Sequence, residues 1–378
     1  MTTAVRSCDL AVIGGGLVGA AIAYGLADRK QRVTMFDEGD VALRAARGNF
    51  GLIWVQGKGL DCAPYAQWTR ASARLWPEFA SRLGEDSGVN IAFARNGGVH
   101  LCLSERELAA RAAQVARYSS QSATLAGAEP LRFAMLDRKG VERLLPDIGP
   151  GVAGASYCPE DGHVNPLQLL RGLHLGFVAR GGELRTDHAV QRIAPIAEGF
   201  ALTTRSGEIH ARRIVLAAGL GNAALAPQVG LAAPVTAQRG QIIVLERMPR
   251  WLPLPTEALR QTDNGTVLVG DSQENSASST TSSGVLAAMA RRAVRAFPRL
   301  ADANVLRTWA ALRVLSPDGL PIYQQSRTAP GAFLVSCHSG VTLAAIHALV
   351  LAPQIAAGAL GEPQGVFSSD RFDGQAAA

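Results

Sequence analysis

The feature that most constrains this chain stands at its start. Cys8-Asp9-Leu10-Ala11-Val12-Ile13 is an apolar run of strand length, and it feeds the turn Gly14-Gly15-Gly16-Leu17-Val18-Gly19. An Ala-rich helical segment from Ala20 to Asp28 follows, then a second apolar strand, Arg32-Val33-Thr34-Met35-Phe36, that ends in Asp37. This is G-x-G-x-x-G with a strand before it, a helix after it and an acid at the end of the next strand. Gly14 permits the tight turn, Gly16 lets the backbone approach a pyrophosphate, and Gly19 permits close packing of helix on strand. The helix that starts near Gly16 aims unpaired N–H groups and its positive end at phosphates. Asp37 lies 18 residues past Gly19, where an acidic side chain takes the ribose hydroxyls of an adenosine half. The reading is a bound adenine dinucleotide.

A chain of 378 residues, 48% of them apolar, is long enough to bury a large core and to form two domains. It has no continuous apolar run of about 18 residues, so no membrane span is expected. The run Leu10–Ile13 is too short to be a signal-peptide core. The five cysteines, Cys8, Cys62, Cys102, Cys158 and Cys337, are scattered, odd in number and without a C-x-x-C pair. That argues for reduced thiols in the cytoplasm and against a disulfide framework, zinc or iron–sulfur in this chain; no metal ligands are assigned. The formal charge of +6 is spread along the sequence with no dense basic tract, which excludes nucleic acid as the expected partner.

The organisation alternates. After Asp37 a glycine-rich loop, Arg47-Gly48-Asn49-Phe50-Gly51, leads to Trp54, Gln56 and Lys58. These three are open between a substrate pocket and a subunit contact. Tyr65 to Leu83 has helical spacing, and its aromatics read as core. Strand-like runs at Ile91–Phe93 and Gly98–Leu103, with helices at Glu105–Tyr118 and Asp137–Leu145, make an inserted α+β segment. Asn165 can cap a helix that has Pro166 in its first position. The strand Arg213–Leu216 stops at Ala217-Ala218-Gly219, residues without bulk at a strand end where open α/β sheets bind ligands. A second excursion carries Gln238–Val244, the strand Thr266–Gly270 and a helix around Gly284–Phe297. Trp309–Arg313, Ala332–Ser336, Cys337-His338-Ser339-Gly340-Val341-Thr342 and one long Ala/Leu helix to about Leu360 complete the chain. The expected fold class is α/β. A Rossmann-like domain (1–85, 160–232 and 308–378) is interleaved with an α+β substrate domain (86–159 and 233–307) built on an antiparallel or mixed sheet.

At these residues the chain resembles the D-amino-acid oxidase superfamily of FAD enzymes. The likeness covers nearly the whole length and rests on the fingerprint with Asp37, the Arg47–Gly51 loop, Val190, the Ala217–Gly219 strand end, Trp309–Arg313 and His338–Thr342. The wording from Arg47 to Gly59 and from Cys337 to Leu343 is similar to the flavin β-subunits of heteromeric amine dehydrogenases. That group includes D-hydroxyproline dehydrogenase, the octopine and nopaline oxidases and, more distantly, hydrogen cyanide synthase. The resemblance implies FAD as the cofactor. It implies that Gly14, Gly16 and Gly19 hold the pyrophosphate, Asp37 the ribose and Val190 the adenine. By the same likeness Gly48, Asn49 and Gly51 run beside the flavin, Ala218 and Gly219 lie along the dinucleotide, and Gly340, Val341 and Thr342 sit at the pyrimidine edge. Arg313 matches the arginine that grips a substrate carboxylate, a task for which a guanidinium fork is suited.

The function expected on this basis is oxidation of the C–N bond of a D-amino or imino acid by hydride transfer to flavin. A D-hydroxyproline dehydrogenase subunit leads. An opine oxidase subunit, a glycine or sarcosine type oxidase and a non-catalytic electron-transfer subunit are the alternatives. Partner subunits carrying iron–sulfur or a second flavin are implied by the likeness, and a dehydrogenase is favoured over an oxidase. In sarcosine oxidase the cysteine that links flavin lies near the position of Trp309–Arg313. Ala310 and Ala311 stand there in this chain, so non-covalent FAD is expected. His338 reads as a hydrogen-bonding residue rather than a proton shuttle.

Overall fold

The computed structural model describes residues 6–27, 31–39, 45–123, 132–270 and 272–373. Strand β1 (Arg6–Ile13) is the hub. It pairs in parallel with β2 (Val33–Phe36) on one side and with the strand Gly207–Leu216 on the other. Ala332–Ser336 extends the sheet beyond Gly207–Leu216 and Glu183–Arg185 extends it beyond β2, both in parallel. Every residue of β2 is buried, as expected of a parallel strand covered on both faces. The Val190–Ile196 and Gly199–Thr204 hairpin and the strand Ile322–Gln325 complete eight strands.

Helix α1 (Leu17–Leu26) covers one face and is buried almost all round; the expected end at Asp28 lies outside the described residues. Helix α2 (Ala63–Ser87) meets it through the rings of Phe79 and Tyr24. The aromatics of α2 are core, with Trp76, Phe79 and Leu83 fully buried. Asn165 caps the helix Pro166–Ala179 by accepting from the amides of Leu167 and Gln168.

The second unit is antiparallel. Four strands run in the order Leu259–Gln261, Thr266–Val269, Thr236–Arg247 and Val305–Leu315. A three-stranded sheet, Gly98–Cys102, Gly154–Cys158 and Ala134–Asp137, packs beside them. The register runs from Thr236↔Leu315 to Leu245↔Val305. Residues 308–315, expected with the cofactor unit, pair with 236–243 in this antiparallel sheet. Ile91–Phe93 forms no strand; only the bridge Ala94↔His163 follows it.

The single C-terminal helix expected from the Ala/Leu pattern is interrupted. Ala344–Ile346 passes into a π turn, His347–Leu351, before Ala352–Ala357 resumes. Pro353 explains it: without an N–H, and with its ring against the preceding carbonyls, it cannot continue the ordinary ladder. Gly25 of α1 packs against this turn so closely that a Cβ would strike the Ala348 carbonyl.

Candidate active site

At the C-terminal ends of the parallel strands a cleft of about 540 Å³ opens. Its floor is built from Ile13, Phe36, Ala217 and Val335, the last residues of their strands or next to them. Gly14, Gly16, Asp37, Asn49, Val190, Ala218, Gly219 and Gly340 all border it, together with Cys337 and His338. Fingerprint, strand ends and the late glycine turn, separated by hundreds of residues, thus line one elongated space.

The donor set at the fingerprint fits a diphosphate. Gly14 has φ +111°, and a Cβ there would collide with the Ala217 carbonyl; a side chain is excluded on both grounds. Above Gly16 the nearest atom to an added Cβ is Ala46 Cβ at 3.8 Å, so the backbone is open there. Helix α1 begins at Leu17 with no side-chain cap, which leaves its first amides to an anion in the cleft. Asp37 accepts from the Gly15 amide (2.8 Å) and from the Gly39 amide (3.0 Å). It thereby ties the turn to the end of β2. The Gly15 carbonyl faces His174 Nε2 at 2.7 Å. A carbonyl only accepts, so Nε2 carries the proton. Asp37, His188, Ala189 and Val190 also line the cleft, where the sequence leads one to expect the adenosine half.

Other residues singled out in the sequence lie just beside the lining. A Cβ on Gly19 would collide with the Gly14 carbonyl, which makes it a packing glycine. Gly48 stands in a bend before Asn49, and Asn49 Oδ1 accepts from the Gly51 amide at 2.7 Å. Gly51 has φ +89°, and a Cβ there would strike the Val164 carbonyl. Val341 is buried in the core. Thr342 Oγ1 accepts from the Trp54 amide at 3.2 Å, and its carbonyl accepts from Ser72 Oγ (2.7 Å) and Trp76 Nε1 (3.1 Å). Thr342 thus fastens the Leu52–Trp54 segment and α2 to the turn that carries Gly340.

Arg313 belongs to the strand Val305–Leu315, whose Leu312 and Val314 face the cofactor cleft. The alternation of a strand turns Arg313 to the opposite face. Its guanidinium lies across Gly240, where any Cβ would collide with it. Nη1 donates to Gln238 Oε1 (3.3 Å) and to the Arg239 carbonyl (3.1 Å). Burial pulls its pKa down to about 10, so it keeps its charge at neutral pH.

Sequence reasoning missed the network behind the loop. Asp161 is fully buried and accepts from the Val55 amide (2.5 Å) and from Gln56 Nε2 (2.7 Å). Arg111 donates to Gln56 Oε1 (2.9 Å) and the Gln56 carbonyl (2.6 Å), and Ser156 donates to Gln56 Oε1 (2.6 Å). Gln56 is therefore a structural hub. Trp54 is buried against Gly98. Lys58 alone of the three points to the flavin end, its Nζ 3.4 Å from His338 Nδ1. None of these hydrogen-bonded pairings has a local signal, since the partners lie 55 to 280 residues apart.

The model of the family described as FAD dependent oxidoreductase, DAO, matches residues 9–354. The opine oxidase B subunits of Rhizobium meliloti and of Agrobacterium tumefaciens (strain Ach5) are 46% and 47% identical to this chain over 372 residues. Each match covers 98% of this chain and 99% of the relative. The crystal structure of glycine oxidase from Geobacillus kaustophilus shares the fold with a TM-score of 0.87 at 24% identity, covering 96% of this chain and 98% of that one. With its glycine turn, open helix end and acidic strand end in one cleft, the chain belongs to the DAO family of FAD-dependent oxidoreductases.

Proposed function

We propose that this chain is the FAD-carrying subunit of a heteromeric amine oxidoreductase of the opine oxidase type, and that it opens the C–N bond of a carboxylated secondary amine. The observation that carries this reading is the identity of 46–47% with two opine oxidase B subunits along nearly their whole length. Those identities favour the opine alternative over D-hydroxyproline, which led on sequence alone. That both relatives are subunits supports partner chains. Iron–sulfur or a second flavin in those partners, and a cytoplasmic setting, go with it; all five cysteines are free, and no described helix is long and apolar enough to cross a membrane.

When bound, FAD supplies the acceptor for the hydride that leaves the carbon beside nitrogen. The chain's own residues bind and orient. The α1 amides and the Gly14–Gly16 backbone hold the diphosphate, and Asp37 takes the ribose. Arg313 grips a carboxylate and so fixes the reacting carbon. A pocket already holding Arg313 and Lys58 disfavours a third cation, which selects the substrate amine in its unprotonated form. No protein base is then required. Burial pushes the Cys337 thiol up to about 12; a thiol that keeps its proton is a poor nucleophile, in keeping with non-covalent FAD.

The test is anaerobic bleaching of the holoprotein's flavin by octopine, nopaline, D-proline, cis-4-hydroxy-D-proline, glycine and sarcosine. Turnover is then followed with a dye acceptor or with oxygen. Bleaching by an opine is expected. Bleaching by a cyclic imino acid alone would overturn the substrate class, and no bleaching by any amine would leave this chain an electron carrier.

A further inference from the structure

His338, which borders the cleft, has two cations within electrostatic range, Lys58 and Arg313. Lys58 Nζ approaches His338 Nδ1 at 3.4 Å. Burial, with the charges of Lys58 and Arg313, holds His338 well below its usual pKa, so the ring is neutral and Nδ1 accepts. Cys337 keeps its proton. No described carboxylate forms an ion pair with Lys58. Lys58 thus touches a neutral imidazole at the edge of the cleft, and the charge of Arg313 is felt by both.

The position of Lys58 is built, not loose. Gln56, two residues before it, is locked by Asp161, Arg111 and Ser156. The amides of Gly57 and Lys58 both donate to the Val55 carbonyl, at 2.8 and 3.1 Å. Gly59 then turns at φ +76°, where a Cβ would collide with the Ala66 amide. The ammonium is therefore presented on a rigid turn, as a specificity contact must be.

We propose that Lys58 is a specificity-determining residue that binds the second carboxylate of an amine carrying one on each side of its nitrogen, the first being held by Arg313. The proposal rests on the amine-oxidising reading above and names its substrate class. In an N-(carboxyalkyl) amino acid the two carboxylate carbons are four bonds apart, roughly 5 Å when extended. Two cations on either side of such an amine would each meet one carboxylate, the ammonium and the guanidinium standing further apart than the two carboxylate carbons. A substrate with one carboxylate leaves the ammonium in a half-buried site without a counter-ion, and the site discriminates by that cost. A lysine is a compact point charge and accepts a carboxylate in several poses, which suits a substrate whose second arm varies.

The experiment uses the FAD-loaded protein and two thioethers that cannot undergo C–N oxidation: thiodiacetate, with two carboxylates, and methylthioacetate, with one. Binding is read from the perturbation of the flavin absorbance and by calorimetry. The native protein is expected to prefer thiodiacetate by at least tenfold. Lys58→Met is expected to weaken thiodiacetate at least tenfold while methylthioacetate stays within threefold, and Lys58→Arg to keep most of the preference. Lys58→Gln serves if methionine disturbs the turn. Equal weakening of both ligands, no weakening of either, or no native preference would overturn the proposal. Turnover is not involved, so a dianion preference that persists while no amine bleaches the flavin would sink the amine-oxidising reading and not this one.

Discussion

Replacing Asp161 by alanine tests whether the buried network sets the loop that carries Lys58. Burial pushes this carboxyl up to about 7, against the pull of its donors and of Arg111. Every group facing it is a donor: the Val55 amide, the Gln56 amide and Gln56 Nε2. Gln56 cannot turn its amide to compensate, because Oε1 already accepts from Ser156 and Arg111. Alanine therefore leaves the Val55 amide and one Nε2 hydrogen buried and unmet; the Gln56 amide, at 3.4 Å, was only weakly held and adds little. At about 1–3 kcal/mol for each such donor, the loss is on the order of 4 kcal/mol. At about 2 °C per kcal/mol for a chain of this size, the melting midpoint falls by roughly 8 °C. Asparagine keeps the acceptor for Val55 and loses only the bond to Nε2, so it costs about 1–2 kcal/mol. The assay is a thermal melt followed by the rise in fluorescence of released FAD, with kcat/KM measured at a temperature where both variants are folded. A midpoint for Asp161→Ala within about 2 °C of the native protein would refute the reasoning, since the donors would then have found water or moved.

Three further outcomes follow from the same geometry. Arg313→Ala is expected to raise KM for carboxylated amines by an amount equal to about 2–4 kcal/mol with flavin content unchanged; native steady-state kinetics would remove Arg313 from the site. Asp37→Ala unties the Gly15 and Gly39 amides and removes the carboxylate proposed to take the ribose, so FAD is expected to bind about tenfold or more weakly in a fluorescence titration; full flavin retention on dilution would contradict that role. Burial pulls Lys58 down to about 8, so the ammonium is intact below that pH and lost above it. Its neighbours do not titrate there: Arg313 lies near 10, Cys337 near 12, and His338 is already neutral. The preference for a dicarboxylate over a monocarboxylate is therefore expected to fall as pH rises from 7 to 9, and a flat profile in the binding assay would count against Lys58 as the second anchor.

The turn at the head of the parallel sheet was legible in the sequence alone. A Rossmann turn is a local object: Gly14, Gly16, Gly19 and Asp37 do their work within one strand, one helix and the next strand, so spacing and residue type suffice to read them. The cap at Asn165 and the buried aromatics of α2 are local in the same sense. Only the tertiary structure separated the residues of the loop that follows Gly51. Trp54, Gln56 and Lys58 are three alternate positions of one loop and look alike in the sequence. What separates them is a buried acid from residue 161, an arginine from residue 111 and a histidine from residue 338, contributed by segments whose approach no local pattern encodes. The pairing of residues 308–315 is hidden for the same reason, since their strand partners lie 65 to 79 residues earlier. Backbone geometry is written in neighbours along the chain, whereas the charge felt at a point in space is a sum over everything folded around it.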